Sequence, residues 1–255
     1  MKIVVLIKQV PDTWGERHLD TESGWVDRGA SEAVIDEVGE RAIEAALVYK
    51  DAADAEVVVM TMGPGSAKES LRKGLAMGAD SAVHVTDEGL AGSDAMRTAQ
   101  VLAAAIGRVG FDLVVAGDVS TDGGGGVVPA MVAEHLGVAH LTHLDSVEIT
   151  GDGVRGVRGT AGGDAQVQAS LPAVVSVTER TPEGRFPNFR GIMKARKKPT
   201  EVLSLADLGV GPDGGSRSVV VSASKRPARE AGIKVVDEGD GGKQLVDYLI
   251  EQKLV

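Results

Sequence analysis

Residues 1–140 alternate short aliphatic runs with longer amphipathic runs, and this alternation constrains the fold more than any other feature. The aliphatic runs predict β-strands at 2–7, 56–61, 81–85 and 112–116. The runs between and after them predict α-helices at 36–50, 66–77, 93–107 and about 128–136. Strands that are apolar on both faces and alternate with helices are typical of a buried parallel sheet. We therefore predict an α/β fold with a doubly wound, mostly parallel, Rossmann-like sheet.

The second predicted helix has the clearest end signals. Ser66 followed by Glu69 matches a capping box, and Gly78 matches a stop. We therefore predict that the Ser66 side chain caps this helix.

The pattern changes after residue 140. Residues 147–150, 154–158 and 166–169 alternate like antiparallel strands and predict a β-hairpin extension, and 171–177 predicts a strand that can return to the main sheet. Residues 207–242 are rich in Gly, Pro, Ser and charge, and a short amphipathic helix follows at 243–253. We predict an α/β domain over 1–206 and a C-terminal arm over 207–255. The arm either wraps a partner or folds back on its own domain.

Composition excludes several classes of protein. The chain has no cysteine, which excludes disulfides, thiolate metal sites and cysteine nucleophiles and fits a reducing compartment. A net charge of −10 argues against general nucleic-acid binding. No apolar run reaches the roughly 18 residues of a membrane span, so we expect no membrane insertion and a cytoplasmic protein.

The recognition segment, residues 185–199, concentrates aromatic and basic side chains in an acidic protein. It holds Phe186 and Phe189, two of only three phenylalanines, together with six cations. One interpretation is a docking surface, in which an apolar anchor inserts into a partner and the cations steer its approach. The other is that both phenylalanines pack into the core and the lysines line a solvated helix face.

A run of four glycines lies between the fourth predicted strand and the fourth helix. Each glycine costs about 0.5–1 kcal/mol in chain entropy relative to alanine, so the run indicates close approach of a ligand to the backbone. Amides at a helix N-terminus favour an anion such as phosphate. We expect Asp118 and Asp122 to bind ribose hydroxyls or the adenine amino group, or to cap the helix. A flexible turn is the alternative. The second glycine turn, Gly63 and Gly65, matches a Rossmann fingerprint only weakly.

The chain carries no recognisable catalytic motif. We find no nucleophile elbow, zinc-protease motif, P-loop lysine motif or Ser/His/Asp order. His135, His140 and His143 have a loosely metal-like spacing but no fixed carboxylate partner, so we predict no metal site. This favours a carrier or binding subunit, with no catalytic residues and no independent activity, over a hydrolase.

Seven segments, in order along the chain, resemble electron transfer flavoprotein β subunits of the actinobacterial type. They are 3–11 (IVVLIKQVP), 36–45 (DEVGERAIEA), 74–80 (GLAMGAD), 171–175 (LPAVV), 192–195 (IMKA), 207–210 (DLGV) and 229–232 (REAG). The resemblance implies an adenine-nucleotide-binding type of fold and a heterodimer with an α subunit. It also implies that the α subunit holds most of a redox-active FAD, while the β subunit binds a structural AMP.

The resemblance also assigns residues to sites. The implied AMP pocket comprises Leu6, Asp36, Glu37, Val38, Gly39, Met62, Gly117, Asp118, Val119, Ser120, Thr121, Asp122, Gly123, Gly124, Gly125, Gly126, Val127 and Val128. Thr13 and Val38 would lie near the FAD. The implied docking residues are Phe189, Arg190, Ile192, Met193 and Lys194. The chain departs from the family where Asp36, Glu37 and Val38 replace Asn-Pro-Phe, and where Ala161 and Ala165 replace acids.

Three functional classes follow. The first is an electron carrier between acyl-CoA or related dehydrogenases and a quinone oxidoreductase. The second is an electron-bifurcating relative with a second FAD in the β subunit and NADH as donor. The third is a non-redox nucleotide-binding stress or signalling domain, against which the long arm and the recognition segment count.

Overall fold

The computed structural model describes residues 1–211, 215–228 and 232–255. Within these ranges the strands are β1 Lys2–Leu6, β2 Gln9–Pro11, β3 His18–Leu19, β4 Val26–Asp27, β5 Ala33–Ile35, β6 Glu56–Met62, β7 Ser81–Val85, β8 Leu113–Gly117, β9 Ala139–Leu144, β10 Ser146–Ile149, β11 Gly153–Thr160, β12 Gly163–Ser170, β13 Ala173–Val177 and β14 Thr200–Leu203. The helices are α1 Glu37–Ala52, α2 Lys68–Met77, α3 Ala95–Val109, α4 Val128–Leu136, α5 Phe189–Ala195 and α6 Gly241–Glu251. Of the segments that carry the resemblance, most of 229–232 lies outside the described residues.

The main sheet has seven strands in the order β14-β7-β6-β1-β8-β13-β9, and every neighbouring pair is parallel. Helices α1 and α2 cover one face with residues such as Leu47 and Leu75, and α3 and α4 cover the other with residues such as Ile106 and Val132. The predicted α/β doubly wound fold is therefore confirmed. The predicted strand at 171–177 returns to the sheet as β13, between β8 and β9.

The edge strands β9 and β14 are not predicted from the sequence. They bury only some of their side chains, such as Leu141 and Leu144 in β9 and Leu203 in β14. An edge strand pairs on one side only, so it needs no continuous apolar run, and the pattern that identifies the central strands is missing.

The start of α2 differs from the predicted capping box. Ser66 lies in a 3₁₀ turn before the helix, and its Oγ donates to Oε1 of Gln9 at 2.9 Å instead of capping α2. The capping-box prediction is therefore wrong, because a partner distant in sequence takes the hydroxyl. The predicted stop at Gly78 is confirmed; its φ of +147° is a conformation that L side chains rarely adopt.

Residues 9–35 form a two-tiered antiparallel ribbon that the sequence does not predict. Strand β2 pairs with β5 and strand β3 pairs with β4. At the base, the amide of Asp36 donates to the carbonyl of Lys8 at 2.9 Å. Strands of two or three residues are too short to produce a periodic sequence signal. We call residues 9–35 the ribbon.

The remaining elements match the predicted extension and terminal helix. Strands β10, β11 and β12 form a separate antiparallel sheet, as expected from residues 147–169. The chain divides into two compact units, Met1–Ala223 and Ser224–Val255. Helix α6 lies in the second unit and buries none of its residues there. Within the described part of the chain, no helix is both long and apolar enough to cross a membrane.

Candidate functional site

The carboxyl ends of β1, β6 and β8 lie side by side and bring the predicted nucleotide residues to one edge of the sheet. Leu6 ends β1, Met62 ends β6 and Gly117 ends β8, while Asp36 precedes the first turn of α1. At Gly117 a Cβ atom would lie 2.6 Å from Cγ2 of Val38. Only glycine therefore allows α1 to approach β8 this closely. Ligands of open α/β sheets bind at such an edge.

The polar half of the loop after β8, residues 118–122, is held on several sides. Asp122 pairs with Nζ of Lys8 at 2.7 Å and with Nη2 of Arg28 at 3.0 Å. The amide of Thr121 donates to Oδ2 of Asp36 at 2.9 Å, and Arg17 donates to the Thr121 carbonyl. This half of the loop is therefore held by Lys8, just after β1, by Asp36, just before α1, and by two arginines of the ribbon.

The Asp122 carboxylate has an internal role that the sequence does not predict. Burial favours its neutral form, but the hydrogen bond and charge of Lys8, with help from Arg28, outweigh burial and lower the pKa of Asp122 to about 2. Its side chain is 1% exposed. Because both oxygens already have cationic partners, the expected binding of ribose or adenine by Asp122 has no support in this geometry.

Replacing Asp122 with asparagine should lower the free energy of unfolding at neutral pH by about 1–2 kcal/mol. The folded pKa of this group lies below its ordinary 3.8, so the stabilisation is present above about pH 4 and is lost as the pH falls toward 2. Denaturant titrations from pH 7 to pH 2.5 should show the difference between the two proteins shrinking over that acid range. Asp54→Asn, at an exposed carboxyl, is the control. A constant difference at every pH would contradict the ion-pair origin.

Asp36 provides a hydrogen-bond acceptor that no group in the described part of the chain uses. It is 2% exposed, and its Oδ1 has no hydrogen-bond partner among the described residues. Burial raises the pKa of Asp36, and the nearby negative charge of Asp122 adds to the increase. An unpaired buried oxygen costs about 1–3 kcal/mol, which a hydroxyl or amino donor from a ligand would offset.

The glycine half of the loop, residues 123–126, presents free amides at the start of α4. The amides of Gly125, Gly126 and Val127 have no acceptor within the described ranges. Gly124 and Gly126 both have a φ of +62°, in the left-handed region that favours glycine. Free amides next to the positive end of a helix fit an anionic group such as phosphate.

His143 joins this edge from β9 and has a carboxylate neighbour there, so the expectation that it lacks one is wrong. Its Nδ1 lies 2.6 Å from Oδ1 of Asp118, although the contact is not aligned as a hydrogen bond and that oxygen otherwise lacks a partner in the described chain. Its backbone φ is +59°, and the pairing of β9 with β13 is irregular nearby. Across residues 1–211, 215–228 and 232–255, no group of three or more His, Cys, Asp or Glu residues could hold a metal ion.

The recognition segment exposes its aromatic residues. Phe186 is 94% exposed and Phe189 is 81% exposed, so the interpretation that both pack into the core is wrong. Half of the segment is helical rather than a loop: α5 begins at Phe189, and the Asn188 side chain accepts from the amide of Gly191 at 2.8 Å. Ile192 and Met193 are also about half exposed. Together these side chains form an apolar surface.

The segment is anchored at both ends and in the middle. Arg185 pairs with Glu44 at 2.8 Å and with Asp51 at 2.9 Å, and Lys198 donates to the carbonyls of Leu75 and Ala79. A side chain at Gly191 would overlap the Ala76 carbonyl of α2. Two of the six cations are therefore structural. The other four are exposed and have no acidic partner within 4.0 Å in the described chain; they are Arg190, Lys194, Arg196 and Lys197.

The recognition segment and the glycine loop lie at different edges of the sheet. Helices α1 and α2 run back from the carboxyl edge. Asp51, which pairs with Arg185, and Leu75, whose carbonyl accepts from Lys198, are near the ends of these helices and therefore lie toward the amino edge. Thr13 is exposed on the ribbon, at the carboxyl edge with half-buried Val38 and exposed Glu37. Gly39 packs against Ile7 of the same edge.

A doubly wound sheet with a glycine loop entering a helix is the architecture of the nucleotide-binding class of α/β proteins. Comparison with known proteins is more specific. The family model for the electron transfer flavoprotein domain matches residues 23–208. The chain is 51% identical to electron transfer flavoprotein subunit beta of Mycobacterium bovis, with 99% of each chain covered. It is 50% identical to that of Mycobacterium leprae, with the same coverage, and 33% identical to that of Megasphaera elsdenii, covering 99% of this chain and 97% of the relative.

This protein belongs to the electron transfer flavoprotein β-subunit family. The resemblance inferred from the seven segments is thereby confirmed, and an α subunit is implied as its partner.

Proposed function

We propose that this protein is the β subunit of a heterodimeric electron transfer flavoprotein in the cytoplasm. It would accept electrons from acyl-CoA and related dehydrogenases and pass them to a quinone oxidoreductase, with no catalytic activity on its own. The observation that carries the proposal is the recognition segment: an apolar surface around Phe189, 81% exposed, on a helix that Arg185 and Lys198 anchor. A rigid, exposed aromatic beside cations that have no acidic partner among the described residues suits transient docking to partner enzymes.

The nucleotide of the β subunit would be AMP. The amides of Gly125, Gly126 and Val127 would hold its phosphate, since they have no acceptor in the described part of the chain. Oδ1 of Asp36, which has no hydrogen-bond partner among the described residues, would accept a hydrogen bond from ribose or adenine. A carboxylate suits those donors and would repel phosphate, so we place the sugar or base toward α1 and the phosphate toward α4.

The FAD would be held mainly by the α subunit. Thr13, exposed on the ribbon, and Val38, half-buried beside Gly117, would lie near the flavin ring. When bound, the flavin supplies the redox chemistry; the β subunit would orient the ring and exclude water from one side. The arm would bind the α subunit, because Leu245, Tyr248 and Ile250 of α6 are each more than two-fifths exposed.

Co-expression with the α subunit, followed by an absorbance spectrum and nucleotide analysis of the purified complex, tests this function. We expect one FAD and one AMP per heterodimer. Two FAD molecules and reduction by NADH would instead identify the electron-bifurcating alternative. A complex without flavin would identify a non-redox nucleotide-binding protein and contradict the proposal.

A further inference from the structure

The ribbon, residues 9–35, contacts two regions of the α/β unit that are distant in sequence. Between its two tiers, beside β3 and β4, it contacts the polar half of the loop after β8. There Arg28 pairs with Asp122 at 3.0 Å and Arg17 donates to the Thr121 carbonyl.

The tip of the ribbon packs against the arm root, which we define as residues 215–223, immediately before the C-terminal unit. The Trp25 indole covers Gly92 so closely that a side chain there would overlap it. Val220 of the arm root fills the space beside Gly24 in the same way. Both glycines have a positive φ, +72° at Gly24 and +73° at Gly92.

Asp94 attaches the arm root at this place. Its Oδ2 accepts from the amides of Arg217 at 2.8 Å and Ser218 at 3.0 Å, while its Oδ1 caps α3. The hydroxyl of Ser216 accepts from the amide of Asp94 and donates to the carbonyl of Gly92 at 3.0 Å. The loop from Gly92 to Asp94 thus lies between the ribbon tip and the arm root.

A two-stranded ribbon is at best marginally stable alone in water. Its order therefore depends on these two contacts, the loop clamp and the tip clamp, so loss of one clamp should loosen the whole ribbon and weaken the other. We propose that the ribbon couples the arm root to the loop after β8, with Arg28 and Trp25 as the positioning residues at its two clamps. The ribbon has two states, ordered and loosened, and each of the two clamps shifts the equilibrium between them.

For the function proposed above, and resting on it, coupling means that a nucleotide at the loop and a partner that binds the arm stabilise each other. Such linkage is reciprocal. A β subunit with its nucleotide bound would present an ordered arm root.

Hydrogen exchange of the full-length chain tests the coupling by perturbing one clamp and reading the other. Arg28→Gln removes the loop clamp, and we expect the Arg217 and Ser218 amides, which bind Asp94, to exchange about fivefold faster or more. Trp25→Ala removes the tip clamp. We expect the Thr121 amide, which donates to Asp36, then to exchange faster by a similar factor. The amide of Val115, in the centre of β8, should keep its rate, which separates loosening of the ribbon from global unfolding.

The second tryptophan gives a matched control. Trp14 lies on the same ribbon but is 96% exposed, so Trp14→Ala should change neither end. If each substitution accelerates exchange only at its own end, the coupling is overturned. Adding AMP to the wild type should slow exchange at Thr121, Arg217 and Ser218; slowing at Thr121 alone also contradicts the coupling. If AMP leaves all three exchange rates unchanged, the proposed nucleotide site is wrong. The coupling is then still tested by the two substitutions, which do not depend on AMP.

Discussion

Replacing Gly125 with valine should remove AMP from the purified complex while leaving the fold intact. Gly125 has an ordinary φ, and the nearest atom to an added Cβ is Cγ2 of Val127, at 3.9 Å, so valine fits the folded chain. Its branched side chain would cover the free amides of the glycine half of the loop. Two lost hydrogen bonds to a charged group are worth about 1.5–3 kcal/mol each, which lowers affinity by about 100-fold or more.

Nucleotide extraction and chromatography of the denatured complex measure this effect. Gly162→Val is the matched control, because this glycine also has an ordinary φ and open space, and it lies in the turn between β11 and β12. The control should retain AMP in the wild-type amount. An unchanged AMP content in Gly125→Val would show that the glycine loop does not bind the phosphate.

Replacing Phe189 with alanine should lower kcat/KM for electron transfer from a partner dehydrogenase by about one to two orders of magnitude. Inserting a phenylalanine into an apolar pocket is worth about 1.5–3 kcal/mol, which corresponds to that range. Flavin content and thermal stability should stay near the wild-type values, because the side chain is 81% exposed and its helix is anchored by other residues.

The third phenylalanine provides the control. Phe111 is partly buried against the core cluster that contains α3 and α4. Phe111→Ala should therefore lower stability without changing the kinetics of docking once the protein is folded. If Phe189→Ala instead lowers the unfolding temperature and leaves electron transfer unchanged, Phe189 is a packing residue and the docking role is wrong. Raising the salt concentration should slow docking of both variants, because it screens the exposed cations Arg190 and Lys194.

The elements that the sequence predicts well are those whose burial is local and periodic. Helix α4 has the bounds expected from residues 128–136, and the four central strands differ from their predicted bounds by one residue or less at each end. The position of the candidate nucleotide site was also predictable, since parallel strands place their following turns at one edge. Leu6, Asp36, Met62 and Gly117 meet there.

Tertiary structure alone decided which polar groups hold the site together and which remain for a ligand. Arg28 meets Asp122 across 94 residues of sequence, and Arg185 meets Glu44 across 141. Ion pairs between distant residues produce no periodic pattern in the sequence. The sequence alone therefore suggests that Asp122 binds a ligand and that Arg185 is one of the docking cations. Both are structural. Periodicity reports whether a side chain is buried, whereas the identity of its partner depends on how distant segments fold together, as the ribbon does over the loop after β8.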